Sequence, residues 1–166
     1  MTKNNSAKLI RLENDPLWRE ACDMAEHVYS LLYEMPADEK WATVSKMRQS
    51  ANDLMFYVGQ AVSNTVPVGA EYEWGNASKA LGGLKTLYRF AGRQHFIELD
   101  PAIMVRLDKM FERIDAERNK ATEKTKASEQ HQLELWREQY QIWRKMNDQK
   151  FPEPKWPRAK DHKDNQ

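Results

Sequence analysis

The chain contains one cysteine, Cys22, in 166 residues. An internal disulfide framework and a thiolate metal cage are therefore excluded, and Cys22 is expected to be a small core residue in a reducing compartment. Glycine is scarce, at six residues, and β-branched residues never gather into runs. Ala, Leu, Met, Glu, Lys and Gln dominate instead, which favours helix almost throughout and leaves no need for a sheet. No run of about 18 apolar residues exists to span a bilayer, and the opening residues, MTKNNSAKLIRLEND, lack the apolar core of a secretory signal. A cytoplasmic protein without a membrane partner is expected. An excess of charge is missing too, with 26 Lys and Arg against 25 Asp and Glu. A chain so balanced is not drawn to nucleic acid indiscriminately, so any anion site has to be local.

One local absence stands out. From Asn76 to Ile97, NASKALGGLKTLYRFAGRQHFI, there is no Asp or Glu, although 31% of the residues are charged. At about 100° per residue, Ala77, Ala80, Leu81, Leu84, Leu87, Tyr88 and Ala91 share one side of a helix. Lys79, Lys85, Arg89 and Arg93 share the other, and together they form a candidate surface for nucleic-acid phosphates or an acidic partner. The plainer reading is a solvated face, or one paired with acids such as Glu20, Asp23 or Glu112 on other helices.

The rest of the chain supplies helices for this one to pack on. Residues 1 to 14 are polar and expected to be flexible. Asp15 and Pro16 form a helix start, the carboxylate capping free N–H groups and the proline sitting where its missing N–H costs nothing. Trp18, Ala21, Cys22, Ala25, Val28, Tyr29 and Leu32 follow as one stripe, ending near Met35. Pro36 opens a second helix, whose first turn carries Asp38 and Glu39. Its buried face is Val44, Met47, Ala51, Leu54, Met55, Val58 and Val62, with Arg48 at the border as a further candidate contact. Ser63 to Gly75 contains Pro67, Gly69 and Gly75 and reads as a long loop, either functional or locally helical. Gly82 and Gly83 mark either a close helix crossing or a weak spot. Asp100 and Pro101 repeat the start signal before Ile103, Leu107, Met110, Phe111, Ile114 and Ala121. The expected fold is all-α, an antiparallel up-down four-helix bundle over residues 15–122.

From Asp115 to Gln132 the chain is highly polar and is either a helical extension standing in solvent or a linker. Residues 123–166 are expected to form this polar linker, an additional amphipathic helix from about Ser128 to Met146, and an extended Pro-rich tail. Here Trp136, Tyr140, Trp143 and Trp156 are interspersed with cations that include Arg137 and Arg144. Three uses remain open: packing on the chain's own bundle, docking on a partner, or stacking on bases.

Chemistry finds no footing. No Glu-x-x-His pair is present to build a bundle di-metal site, and His27, His95, His131 and His162 have no ligand spacing among them. There is neither a nucleophile elbow nor a glycine-rich phosphate loop. No catalytic residue, metal or cofactor is expected, and the chain reads as a non-enzyme.

Two stretches carry a family resemblance. Trp18, Ala25, Tyr29, Pro36, Glu39, Ser45, Arg48 and Ala51 resemble the small bacterial four-helix-bundle proteins first noted as products of ribosomal RNA intervening sequences. The Leu-x-x-Leu-x-x-Leu-Tyr-Arg-Phe-Ala-Gly run ending at Gly92, then His95, Asp100 and Pro101, is similar to a branch of that group, the accessory variability determinants of diversity-generating retroelements. The resemblance covers roughly residues 15 to 121. It implies a non-enzymatic homo-oligomer, a pentamer, that binds a reverse transcriptase and RNA or an RNA/DNA hybrid through basic outer surfaces. Lys85, Arg89, Arg93 and Arg48 are the positions that fit such a surface. The alternative is an oligomeric protein-protein scaffold or regulator with no nucleic-acid role, using the tail as its docking element.

Overall fold

The computed structural model describes residues 12–147. Every regular element among them is helical: α1 (Pro16–Leu31), a 3-10 helix (Ala37–Trp41), α2 (Thr43–Ser63), α3 (Pro67–Arg93) and α4 (Pro101–Asn147). The chain divides into two compact units between Ala127 and Ser128. No helix is long and apolar enough to cross a membrane among the described residues.

In the first unit the helix starts follow the local code. Asp15 Oδ1 accepts hydrogen bonds from the backbone N–H of Leu17 and Trp18, both at 2.9 Å, with Pro16 opening α1. Asp100 does the same for Ala102 at 2.8 Å before α4. Caps of this kind contribute about 1 kcal/mol each. The segment opened by Pro36 is first a 3-10 helix carrying Asp38 and Glu39, and α2 begins only at Thr43, whose hydroxyl donates to Glu39 Oε2 at 2.7 Å. The expected flexible start is partly structured, since Leu12 and Glu13 are helical and Leu12 packs against the core.

Of the two readings left open for Ser63 to Gly75, the locally helical one holds, since α3 already begins at Pro67. Asn64 Oδ1 accepts from Val66 N–H at 3.0 Å, Pro67 occupies the first turn of α3, and Gly69 and Gly75 lie inside the helix. Proline is harmless in a first turn, and each glycine weakens a helix by only about 1 kcal/mol. Ala70, Trp74, Ala77, Leu81, Leu84, Tyr88 and Ala91 form one unbroken stripe that outweighs them, with all but half-buried Ala70 fully in the core.

The core is common to all four helices and is filled by Met24, Val28, Met47, Leu54, Val58, Leu81, Leu84, Tyr88, Leu107, Met110 and Ile114. On α1 the deepest positions include Leu17 and Met24, outside the expected stripe, while Trp18, Cys22 and Tyr29 sit at its edge. Cross-contacts fix the register. Glu71 accepts from Thr122, Ser78 donates to Asp115, and Lys85 pairs with Asp108. The contacts advance by seven residues on α3 as they retreat by seven on α4. Glu20 pairs with Arg113 between α1 and α4. Trp18 lies against Gly59, and Tyr29 bonds Asn52, between α1 and α2.

The α3–α4 connection is tight. Phe96 N–H reaches back to Ala91 O and His95 N–H to Gly92 O, with His95 in the left-handed region at φ 58°. This is the double bond that closes a helix with an αL residue, and Phe96 meets Phe90 edge-on, their centroids 6.3 Å apart. Tyr88 Oη accepts from the Asp100 N–H at 3.1 Å, and burial pushes the phenol pKa above its ordinary value. The structure separates the glycines that the sequence leaves ambiguous. A Cβ on Gly92 would overlap the Leu99 side chain, whereas one on Gly82 would meet nothing within 4 Å. Gly82→Ala should therefore stabilise the bundle by about 0.5–1 kcal/mol. Gly92→Ala should destabilise it by about 1–3 kcal/mol, and less in a Leu99→Ala background, as read by urea unfolding.

His27 adds a pH dependence. Its Nε2 is buried without a hydrogen-bond partner. Burial first, and then the Arg106 guanidinium, hold its pKa below the usual range, while Asp100 and Glu34 pull more weakly upward. The unfolded chain therefore binds the proton more readily than the folded one. His27 contributes stability above about pH 6.5, and that contribution is lost as pH falls towards the depressed folded value. Urea midpoints should drop between about pH 7.5 and 5.5, and His27→Phe should flatten that part of the profile.

Candidate functional site

The acid-free half of α3 places its cations unequally. Lys79, Arg89 and Arg93 are exposed, and no acidic side chain pairs with them among the described residues. Lys85 turns toward α4 and is bound by Asp108. The expected row of four is thus a row of three plus one partnered lysine. Of the acids considered as partners from sequence, Glu20 is taken by Arg113. Arg89 and Arg93 are one turn apart, with exposed Phe90 between them, and lie about 15 Å or more along the axis from Lys79. Arg93 also occupies the last turn of α3, where a cation favours the negative end of the helix dipole.

Lys79 stands between two shallow depressions of about 410 Å³ each. One is lined by Lys46, Gln49, Ser50, Asp53 and Tyr57 of α2 with Asn76 of α3, the other by Val68, Glu71, Tyr72 and Asn76 of α3 with Arg118 of α4. Lys46 and Arg118 thus add cations near Lys79 that sequence spacing did not group with it, since they come from other helices. Asp53 and Glu71 offset them. Arg48 does not join this surface group. It lies on the α1–α2 seam, its guanidinium 5.6 Å from the centre of the Tyr29 ring, a cation–π contact.

The second unit is described to Asn147. Of the two readings open for the polar stretch, the helical extension is the one observed, and α4 runs unbroken from Pro101 to Asn147, so no separate fifth helix is present among the described residues. Trp136, Tyr140 and Trp143 recur at four- and three-residue steps and stack in sequence. The Trp136–Tyr140 centroids are 5.9 Å apart with planes at 11°, and those of Tyr140–Trp143 are 6.0 Å apart at 27°. Arg137 and Arg144 are exposed on the same helix. Trp156 and the rest of the expected extended tail lie outside the described residues.

No group of three or more His, Cys, Asp or Glu side chains that could hold a metal is found among the described residues. Burial, followed by the charges of Asp23 and Glu26, pushes the Cys22 thiol up from its ordinary pKa, away from nucleophilic use.

The Lys85–Asp108 pair is partly exposed, so it should hold register more than it adds stability. Lys85→Met and Asp108→Asn should each cost no more than about 1 kcal/mol, and the double variant no more than either, in a urea double-mutant cycle.

No protein-family model matches the chain, and no curated protein matches it.

Proposed function

We propose that this chain is a non-enzymatic accessory protein of a diversity-generating retroelement. In this reading it is an antiparallel up-down four-helix bundle that assembles as a homopentamer in the cytoplasm. It holds a reverse transcriptase and its template RNA or RNA/cDNA hybrid during mutagenic copying, without a cofactor. The observation that carries the proposal is the exposed row Lys79, Arg89 and Arg93 on a helix half without acids. Such a row contacts phosphates in register without recruiting the balanced remainder of the chain. The counter-running contacts between α3 and α4 support the up-down topology. The resemblance at Trp18, Tyr29, Arg48, the run ending at Gly92, and Asp100 with Pro101 supports the family.

A second reading is favoured by two other observations. Lys85 is already neutralised, and Leu133, Leu135, Trp136, Ile142, Trp143 and Met146 are each at least 39% exposed on the distal part of α4. On this reading the chain is an oligomeric protein-protein scaffold or regulator, and the aromatic helix is its docking element.

Fluorescence anisotropy of a structured RNA across a salt series tests the first reading. Native protein should bind with an affinity that falls steeply with salt. A variant carrying Lys79→Glu, Arg89→Glu and Arg93→Glu should lose most binding at low salt and reduce the log–log slope by roughly 2, at about 0.7 per contact. Lys85→Met should bind like the native protein. No native binding at low salt, or equal binding by the triple variant, rejects the helix surface as an RNA site and leaves the scaffold reading.

A further inference from the structure

The outward face of α3 carries aromatic rings among its cations. At about 100° per residue, Tyr72, Gly75, Lys79, Gly82, Phe90 and Arg93 fall within an arc of about 80°, opposite buried Trp74, Leu81 and Tyr88. Arg89 borders that arc. Tyr72 is 68% exposed and Phe90 42%, although Phe96 meets the Phe90 ring edge-on.

Rings and cations gather in two clusters. At the first, the Arg118 side chain crosses from α4 onto Gly75, its Nε 3.8 Å from where a Cβ would stand. Gly75 lies one turn from Tyr72 and one turn from Lys79, so the guanidinium is set near both, in a depression of about 410 Å³ that all four residues line. At the second cluster Arg89 and Arg93 flank Phe90. None of these four cations pairs with an acidic side chain among the described residues. The acids of the α3–α4 seam are engaged instead, Glu71 with Thr122, Asp108 with Lys85 and Asp115 with Ser78. Between the clusters the stripe carries only Gly82 and Thr86. A Cβ on Gly82 would meet nothing within 4 Å, and the Thr86 hydroxyl donates to the Gly82 carbonyl at 2.8 Å. The surface there is low and open.

A duplex hides the faces of its bases and offers such a surface its phosphates alone, whereas an unpaired strand offers both. We infer that this stripe binds a single nucleic-acid strand, one base stacked on Tyr72 and another on Phe90. Lys79 with Arg118, and Arg89 with Arg93, hold the phosphates beside those bases. The two rings are separated by about 27 Å of helix, a span that roughly eight stacked nucleotides or fewer extended ones cover. Midway the strand passes Gly82, where no side chain lifts it from the helix. This rests on the nucleic-acid reading above and specifies the form of nucleic acid taken.

The test compares two labelled probes by fluorescence anisotropy at low salt, an oligouridylate of about ten nucleotides and a blunt RNA duplex of the same length. A variant carrying Tyr72→Leu and Phe90→Leu keeps every cation. It should bind the oligouridylate at least about tenfold more weakly, since each lost stack is worth a factor of about five or more, and the duplex within about twofold of native. Because Phe90 also meets Phe96, Tyr72→Leu is measured alone as well and should weaken the oligouridylate about fivefold. Tyr72→Phe should bind like the native protein. Oligouridylate affinity unchanged by Tyr72→Leu, or an equal loss on both probes, overturns the inference and leaves the cation row standing as an RNA site. Binding of neither probe by the native protein overturns the inference and the nucleic-acid reading together.

Discussion

The register between α3 and α4 is the constraint on which the rest of the first unit depends. Glu71 with Thr122, Ser78 with Asp115 and Lys85 with Asp108 repeat every two turns, so each contact returns to nearly the same helix face. At the end of the series Tyr88 accepts from the Asp100 backbone, tying the last turns of α3 to the cap of α4. None of these polar contacts is worth much in water. Their effect is to select one sliding position among several that a stripe of Leu, Met and Ala would tolerate. Once that position is set, the outward direction of Lys79, Arg89 and Arg93 is set as well, and Lys85 is turned aside.

The residues behind the family resemblance acquire physical jobs in this light. Tyr88 holds the Asp100 backbone, Gly92 leaves room for Leu99, His95 takes the left-handed position, and Asp100 with Pro101 starts α4. A pattern made of such residues describes a helical turn and its closure. It bears on architecture more directly than on what the surface contacts.

Features encoded within one turn of helix were legible in the sequence. Asp15–Pro16 and Asp100–Pro101 were readable because a cap is a local arrangement of side chain and backbone. The stripes of α2, α3 and α4 were readable because their apolar period is regular. The start of α3 was not, since Pro67, Gly69 and Gly75 are punctuation by type, and only the spacing of Ala70, Trp74 and Ala77 shows that the helix continues through them. On α1, Trp18 drew the stripe toward itself because it is large, yet Leu17 and Met24 lie deeper. The fate of Lys85 was out of reach, as its acid is 23 residues away on another helix. So was the grouping of Lys46 and Arg118 around Lys79, which needs three helices in place.

The middle of α4 holds its shape differently from the bundle. Ala121 is the last described residue of α4 with a buried side chain, and past it, apart from the bond that Thr122 still makes to Glu71, the middle of the helix carries short-range bonds. Thr122 and Thr125 donate to carbonyls four residues back, Lys126 pairs with Glu123 at 2.9 Å, and Gln130 reaches Glu134. A helix kept by neighbours along its own chain follows helix–coil statistics, shortening gradually as it warms, whereas a packed core gives way all at once. Thermal loss of ellipticity in this protein is consequently a sum of a sloping component and a sigmoidal one, and a single midpoint would misstate both.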